Sequence, residues 1–164
     1  MRRLLAMPEL NLAKIVTTNS RPPRPGEIDG NDYHFVTRDE FERKIAADEF
    51  LEWAHVHNDY KGNTRAAFDA VPAGKNILIQ LELLGFETYR SKLGDICSIS
   101  GIFLMPPSID VIRQRIIARG DLYDLERRLA DAEIEIAYAD RYDHVIVNDD
   151  LESCVCAVAN IIRG

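Results

Sequence analysis

The chain has 164 residues, 46% of them hydrophobic and 29% charged, with 20 Lys and Arg against 27 Asp and Glu for a formal net charge of −7. This length suits one domain with its own core. The acidic balance argues against nucleic acid or an anionic membrane as a partner, so any anion bound must be small and met by a local arginine cluster. No apolar run is long enough to span a bilayer.

The opening residues, MRRLLAMPEL, carry too few apolar side chains before Pro8 for a signal-peptide core, and the expected compartment is the cytoplasm. AKIVTT (13–18) predicts a strand, and Pro22, Pro23 and Pro25 prevent a helix after it. Thr37 and Glu40 form a capping box ahead of Phe41 and Ile45, predicting a helix to about Asp48. FLEWAHVH (50–57) alternates like a strand, NDYKG (58–62) predicts a turn and TRAAFDAV (64–71) a helix. NILIQLE (76–82) predicts a buried strand, Phe86 to Leu93 a helix, and ISGIFLM (99–105) another buried strand. Ser108 caps a helix that Gly120 stops. LERRLADAEIEIAYA (125–139) is a long helix, HVIVN (144–148) a last strand, and Asp150 caps a final helix through Ile162. Helices alternating with buried strands indicate an α/β fold with a largely parallel sheet.

Cys97, Cys154 and Cys156 are odd in number and form no CxxC pair, which points to reduced thiols, the last two packing on the final helix. His55 and His57 alternate on one strand but have no matching third ligand, so no metal site is expected. His34 lies between two aromatic residues and reads as a packing residue or an incidental neighbour of Tyr33, and Tyr138 and Tyr142 follow helical spacing as core or helix-end packing.

Polar residues gather at the ends of the predicted strands, where ligands of parallel sheets bind. They are Thr17 and Thr18 in the first, Glu52 in the second, Gln80 and Glu82 in the third, and Asn148 and Asp149 in the last. Arg21 and Arg24 stand three apart in a segment stiffened by three prolines. Two guanidiniums held this way suit a phosphate, although a solvated Pro-rich loop fits composition equally well.

TTNSRPPRPGEIDGNDYHFV, with EFLEWAHVHNDYKG after it and RYDHVIVNDDLE near the end, resembles the guanylate kinase family, and the likeness runs in order over nearly the whole chain. The resemblance implies one guanylate-kinase-like domain over 1–164, with a parallel-sheet core flanked by helices on both faces. It also implies a small GMP-binding region at about 33–80 and a lid at about 115–135. The family reaction moves the γ-phosphate of Mg-ATP onto GMP, with no intrinsic cofactor. Carried over position by position, Arg21, Arg24 and Tyr33 correspond to the residues that hold the GMP phosphate. Glu52 and Thr17 correspond to those that meet guanine. Arg119 and Arg128 correspond to catalytic lid arginines, with Arg115 a weaker candidate, and Asn148 lies in the loop that touches the ATP base.

Three positions depart from the family pattern. No GxxxxGK[ST] motif occurs: Gly74-Lys75 is followed by Asn76, with Asp69 where the first glycine would stand. RRLLAMPELNL resembles the end of the helix that follows that motif, so the first central strand and the P-loop are expected to be missing. IQLE places Gln80 and Glu82 where the family has two aspartates; an amide does not replace a carboxylate near Mg²⁺, whereas Glu82 can still reach guanine. NDYKGN places Lys61 at a phosphate-binding tyrosine and Asn63 at a small hydroxyl residue.

The resulting expectation is GMP binding with weak or absent phosphoryl transfer, ATP being a partner only if a P-loop is supplied. One alternative is a non-catalytic module that docks phosphorylated protein segments at the same site. Another is an active kinase of which Met1 is an internal residue. Without a central strand the chain could rearrange, pair as a homodimer or be marginally stable.

Overall fold

The computed structural model describes residues 1–56, 58–81, 83–118, 120 and 124–164. They gather into two compact units, Met1–Ile99 and Ser100–Gly164.

The first unit begins with a short helix, α1 (Arg2–Leu5), and a 3-10 turn, Pro8–Leu10, which together bury Leu4 and Leu10. Strand β1 (Leu12–Lys14) runs parallel to β6 (Asn76–Leu78). A four-stranded sheet follows in the order β3–β2–β5–β4, from β2 (Thr18–Asn19), β3 (His34–Phe35), β4 (Phe50–Val56) and β5 (Asp59–Thr64). Its β2–β3 pair is parallel, whereas β2–β5 and β4–β5 are antiparallel. Helix α2 (Arg38–Ala46) starts where Thr37 Oγ1 accepts the Glu40 N–H at 3.2 Å, and it drives fully buried Phe41 onto Phe50 with ring centres 4.3 Å apart. Helices α3 (Arg65–Asp69) and α4 (Leu83–Leu93) complete the unit, and Tyr89 and Leu93 of α4 pack with Leu51 of β4.

The second unit has one parallel pair, β7 (Ile102–Met105) with β8 (His144–Val147). Helices α5 (Ile109–Ala118) and α6 (Leu125–Ala137) pack together and are joined by Arg113–Glu126 at 2.6 Å. Helix α7 (Leu151–Arg163) lies on β8 and buries Cys154, Val155, Val158 and Ala159, while Cys156 is exposed.

The α/β class with parallel strands is present, and four local expectations change. AKIVTT is two strands: Leu12–Lys14 serves the parallel pair, and Thr18–Asn19 crosses into the mixed sheet. NDYKG is mostly strand, because Lys61 and Gly62 pair with Asn19 and Thr18 on one side and with Ala54 and Trp53 on the other. The strand expected over 76–82 ends at Leu78, and α4 begins at Leu83 instead of Phe86. The strand expected over 99–105 starts at Ile102, where pairing with His144 begins.

Candidate functional site

The arginine loop is fixed at both ends before any ligand is considered. Ser20 donates its N–H to the Tyr60 carbonyl at 3.0 Å and accepts the Tyr60 N–H on its hydroxyl at 2.8 Å, tying the loop to β5. Fully buried Asn19 accepts the Arg21 N–H on Oδ1 at 3.1 Å. Gly26, at φ +86°, then turns the chain so that Glu27 comes back to Arg21.

Glu27 was not singled out by sequence reasoning, yet it organises the loop. Arg21 Nη1 donates to Glu27 Oε2 at 2.7 Å and Nη2 to Oε1 at 2.6 Å, a bidentate pair. The same Oε2 accepts the Arg24 N–H at 2.6 Å. These bonds, Arg21 first and the Arg24 amide second, hold the Glu27 carboxyl down to about 2. The Arg21 guanidinium also lies 5.2 Å from the Tyr33 ring centre and 5.5 Å from that of Phe35. The structure thus brings Arg21 and Tyr33 together. The Arg24 guanidinium is exposed and makes no hydrogen bond among the described residues.

A second cluster lies on the same mixed sheet. Glu52 of β4 pairs with Asn63 of β5, and Ala54 with Lys61; since alternate residues share a face, Lys61, Asn63 and Glu52 all face one way. Thr17 Oγ1 donates to Asn63 Oδ1 at 2.9 Å, and Asn63 Nδ2 donates to Glu52 Oε1 at 3.1 Å. Asn63 is 1% exposed, so its amide is locked between the hydroxyl and the carboxylate. Gly85 of α4 makes room for that carboxylate: a Cβ there would lie 3.2 Å from Glu52 Oε2. Lys61 Nζ has no hydrogen-bond partner among the described residues, and its strand position next to Asn19 puts a cation one residue pair from the arginine loop.

Tyr89 also escaped sequence reasoning. It is 5% exposed, its hydroxyl has no hydrogen-bond partner among the described residues, and burial, reinforced by the Glu52 charge, pushes its ionisation well above the ordinary phenol range. Its only sequence signal is one phenol on a helix whose other buried side chains, Phe86 and Leu93, are apolar. Glu27 offers still less, one of three acids in the turn-rich stretch after Pro25 and Gly26.

In the second unit, Arg115 Nη2 donates to the carbonyls of Asn148 at 3.0 Å and Asp149 at 3.3 Å, so the structure gives this arginine the task of holding the loop after β8. Arg128 is half-buried on α6, its N–H bonded to the Asp124 carbonyl at 3.0 Å. Gln80 is exposed just beyond β6. Glu82, Arg119 and His57 lie outside the described residues. His55 packs edge-on against Tyr60 with ring centres 4.9 Å apart, and the described residues contain no cluster of three or more His, Cys, Asp or Glu suited to a metal ion. No helix among them is long and apolar enough to cross a membrane.

Chemically, the unit presents two stations on one sheet. One is a carboxylate with an amide and a hydroxyl fixed beside it, able to read a base edge carrying N–H donors. The other is a fixed arginine, Arg21, with the exposed Arg24 in the same loop and a lysine nearby, able to take a phosphate.

Comparison with known proteins agrees. A sequence model described as "Guanylate kinase" matches residues 2–164. A guanylate kinase from Symbiobacterium thermophilum is 43% identical over 152 residues, covering 91% of this chain and 71% of that protein. One from Corynebacterium jeikeium is 38% identical over 162 residues, covering 96% and 84%. The crystal structure of guanylate kinase from Anaplasma phagocytophilum superposes with a TM-score of 0.81 at 32% identity, covering 99% of this chain and 78% of that one. With the family model spanning almost every residue and the fold superposing over nearly its whole length, the chain belongs to the guanylate kinase family.

Proposed function

We propose that this chain binds GMP, with guanine at Glu52, Asn63 and Thr17 and the phosphate at Arg21, Arg24, Tyr33 and Lys61, and that the 164 residues alone transfer phosphate to it weakly or not at all. The observation that carries GMP binding is the hydrogen-bonded line Thr17–Asn63–Glu52 on the sheet that leads directly into the arginine loop. An ionised carboxylate has about four acceptor positions, of which the Asn63 amide takes one. Guanine offers N1–H and N2–H to such a group, while adenine offers an unprotonated N1 that it repels. Glu82 would add a second carboxylate to the base.

Weak transfer rests on the donor side. The sequence holds no GxxxxGK[ST] to cradle the phosphates of Mg-ATP, and Gln80 stands where the family has an aspartate. Arg119 and Arg128 would meet the transferring phosphates and Asn148 the ATP base if that substrate were held.

Titration with GMP by calorimetry, without ATP or metal, tests the binding. Saturable binding of GMP, much weaker binding of AMP, and loss of both in an Arg21→Ala, Arg24→Ala variant are expected. A folded chain that ignores GMP overturns the proposal. Formation of GDP at an enzyme's ordinary rate from GMP and Mg-ATP overturns its second half.

A further inference from the structure

We propose that Glu27 is a positioning residue for the phosphate subsite, gripping the end of the Arg21 guanidinium so that its side edge is left aimed and unspent for two oxygens of a phosphate. This rests on the proposed binding of GMP.

A guanidinium has five N–H donors in a rigid plane, and two of its edges can grip a pair of oxygens: the end, Nη1 with Nη2, and the side, Nε with Nη2. Nη1 spends both of its hydrogens, on Glu27 Oε2 at 2.7 Å and on the Pro22 carbonyl at 2.9 Å. Nη2 spends one, on Glu27 Oε1 at 2.6 Å. The Nε–H and the second Nη2–H remain, with no partner among the described residues, and these two form the side edge. Arg21 is also only 14% exposed in its side chain and lies against two aromatic rings, so its orientation is fixed in the plane and out of it. An arginine held this way gives up little freedom when it binds, which is where preorganised sites gain affinity.

Glu27 brings a cost as well, since its negative charge lies close to the subsite. That repulsion is weakened by water and salt at a partly exposed position, whereas the paired N–H···O bonds and the two rings that orient Arg21 act at contact distance, where screening is least. Arg24, its amide bonded to the same carboxylate and its guanidinium uncommitted, supplies the second positive charge.

The test is a four-variant titration with GMP by calorimetry and with guanosine, which has no phosphate, by ligand-observed NMR. The variants are wild type, Glu27→Gln, Arg21→Ala and the double substitution. Glu27→Gln should weaken GMP about tenfold and leave guanosine within about twofold. In the Arg21→Ala background it should change GMP by less than about twofold, because Glu27 acts through Arg21. Unchanged GMP affinity in Glu27→Gln overturns the inference. So does an equal loss for guanosine, which would make Glu27 a prop of the fold, and so does a tenfold loss that persists without Arg21. If wild type binds no GMP, the proposed function falls and takes the inference with it; if wild type binds and Glu27→Gln matches it, the inference alone falls.

Discussion

Glu52 and Asn63 face each other across β4 and β5, and replacing one oxygen of that carboxylate with an amide changes what the site can read. Glu52→Gln keeps the shape but turns one acceptor into a donor, which would meet a guanine N–H head-on in the proposed site. A lost charge-assisted hydrogen bond with a buried donor left unpaired costs about 2–3 kcal/mol. GMP affinity should therefore fall by on the order of a hundredfold in calorimetric titration, and the preference over AMP should shrink with it. The same neighbourhood holds the opposite case. The Tyr89 ring packs with Leu51, Leu93 and Phe68, and its hydroxyl, on the side of Glu52 and Asn63, has no partner in good hydrogen-bond geometry among the described residues. Removing an unsatisfied buried hydroxyl while keeping the ring should be neutral or stabilising, by up to about 1 kcal/mol. Tyr89→Phe is expected to raise the urea midpoint or leave it unmoved; a clear fall would mean the hydroxyl is satisfied, for example by a bound water.

Gly62 sits in the middle strand of the mixed sheet, where a Cβ would lie 2.7 Å from the Glu52 carbonyl oxygen, 2.8 Å from Trp53 Cβ and 2.9 Å from Phe50 Cδ1. Two of these neighbours are too close to the backbone to swing aside, so Gly62→Ala must force β4 and β5 apart and should cost about 2–3 kcal/mol in urea unfolding. Helix α7 allows a gentler test. The Asp150 carboxylate accepts the Ser153 N–H at 2.8 Å and the Ser153 hydroxyl, which together lower its ionisation below the ordinary carboxylate value. A group whose folded value is depressed stabilises the fold while ionised, and that contribution is lost as pH falls through the folded value. Asp150→Asn keeps a capping oxygen but cannot titrate. Thermal melts followed by circular dichroism should show wild type losing more stability than the variant between about pH 7 and about pH 3. Caps such as Thr37, Ser108 and Asp150 were legible in the sequence because each bond spans three residues. The split of AKIVTT and the strand character of Lys61 were not, because they depend on partners such as Asn76 and Asn19, more than 40 positions away. The site shows the same division: Arg21, Glu52 and Tyr33 follow from the family motif, whereas Glu27 is visible only once Gly26 has folded it back.

Each compact unit contains one two-stranded parallel pair, β1–β6 in the first and β7–β8 in the second, and every one of these four strands has an edge with no strand partner among the described residues. Two-stranded sheets are marginal by themselves, and parallel strands are ordinarily paired on both sides and covered on both faces. In the second unit Leu104, Val145 and Val147 are about half exposed, at 46%, 48% and 58%, on strands whose sequence is that of a buried sheet. These edges and the donor chemistry point to the same experiment. A version of the chain extended ahead of Met1 by a β-strand and a GxxxxGK[ST] loop would supply backbone partners for an open edge and, in one segment, the amides and lysine that hold the phosphates of Mg-ATP. It should melt several degrees higher than the 164-residue chain, because new strand pairing buries backbone and apolar surface together. It should also form GDP from GMP and Mg-ATP in a coupled assay at a rate at least about a hundredfold above the unextended chain, since positioning of the donor is the main contribution to phosphoryl transfer. A rise in melting temperature without GDP would trace the remaining deficit to Gln80, and Gln80→Asp in the extended chain should then restore it. GDP formation by the unextended chain at the same rate would show that these 164 residues hold Mg-ATP by other means.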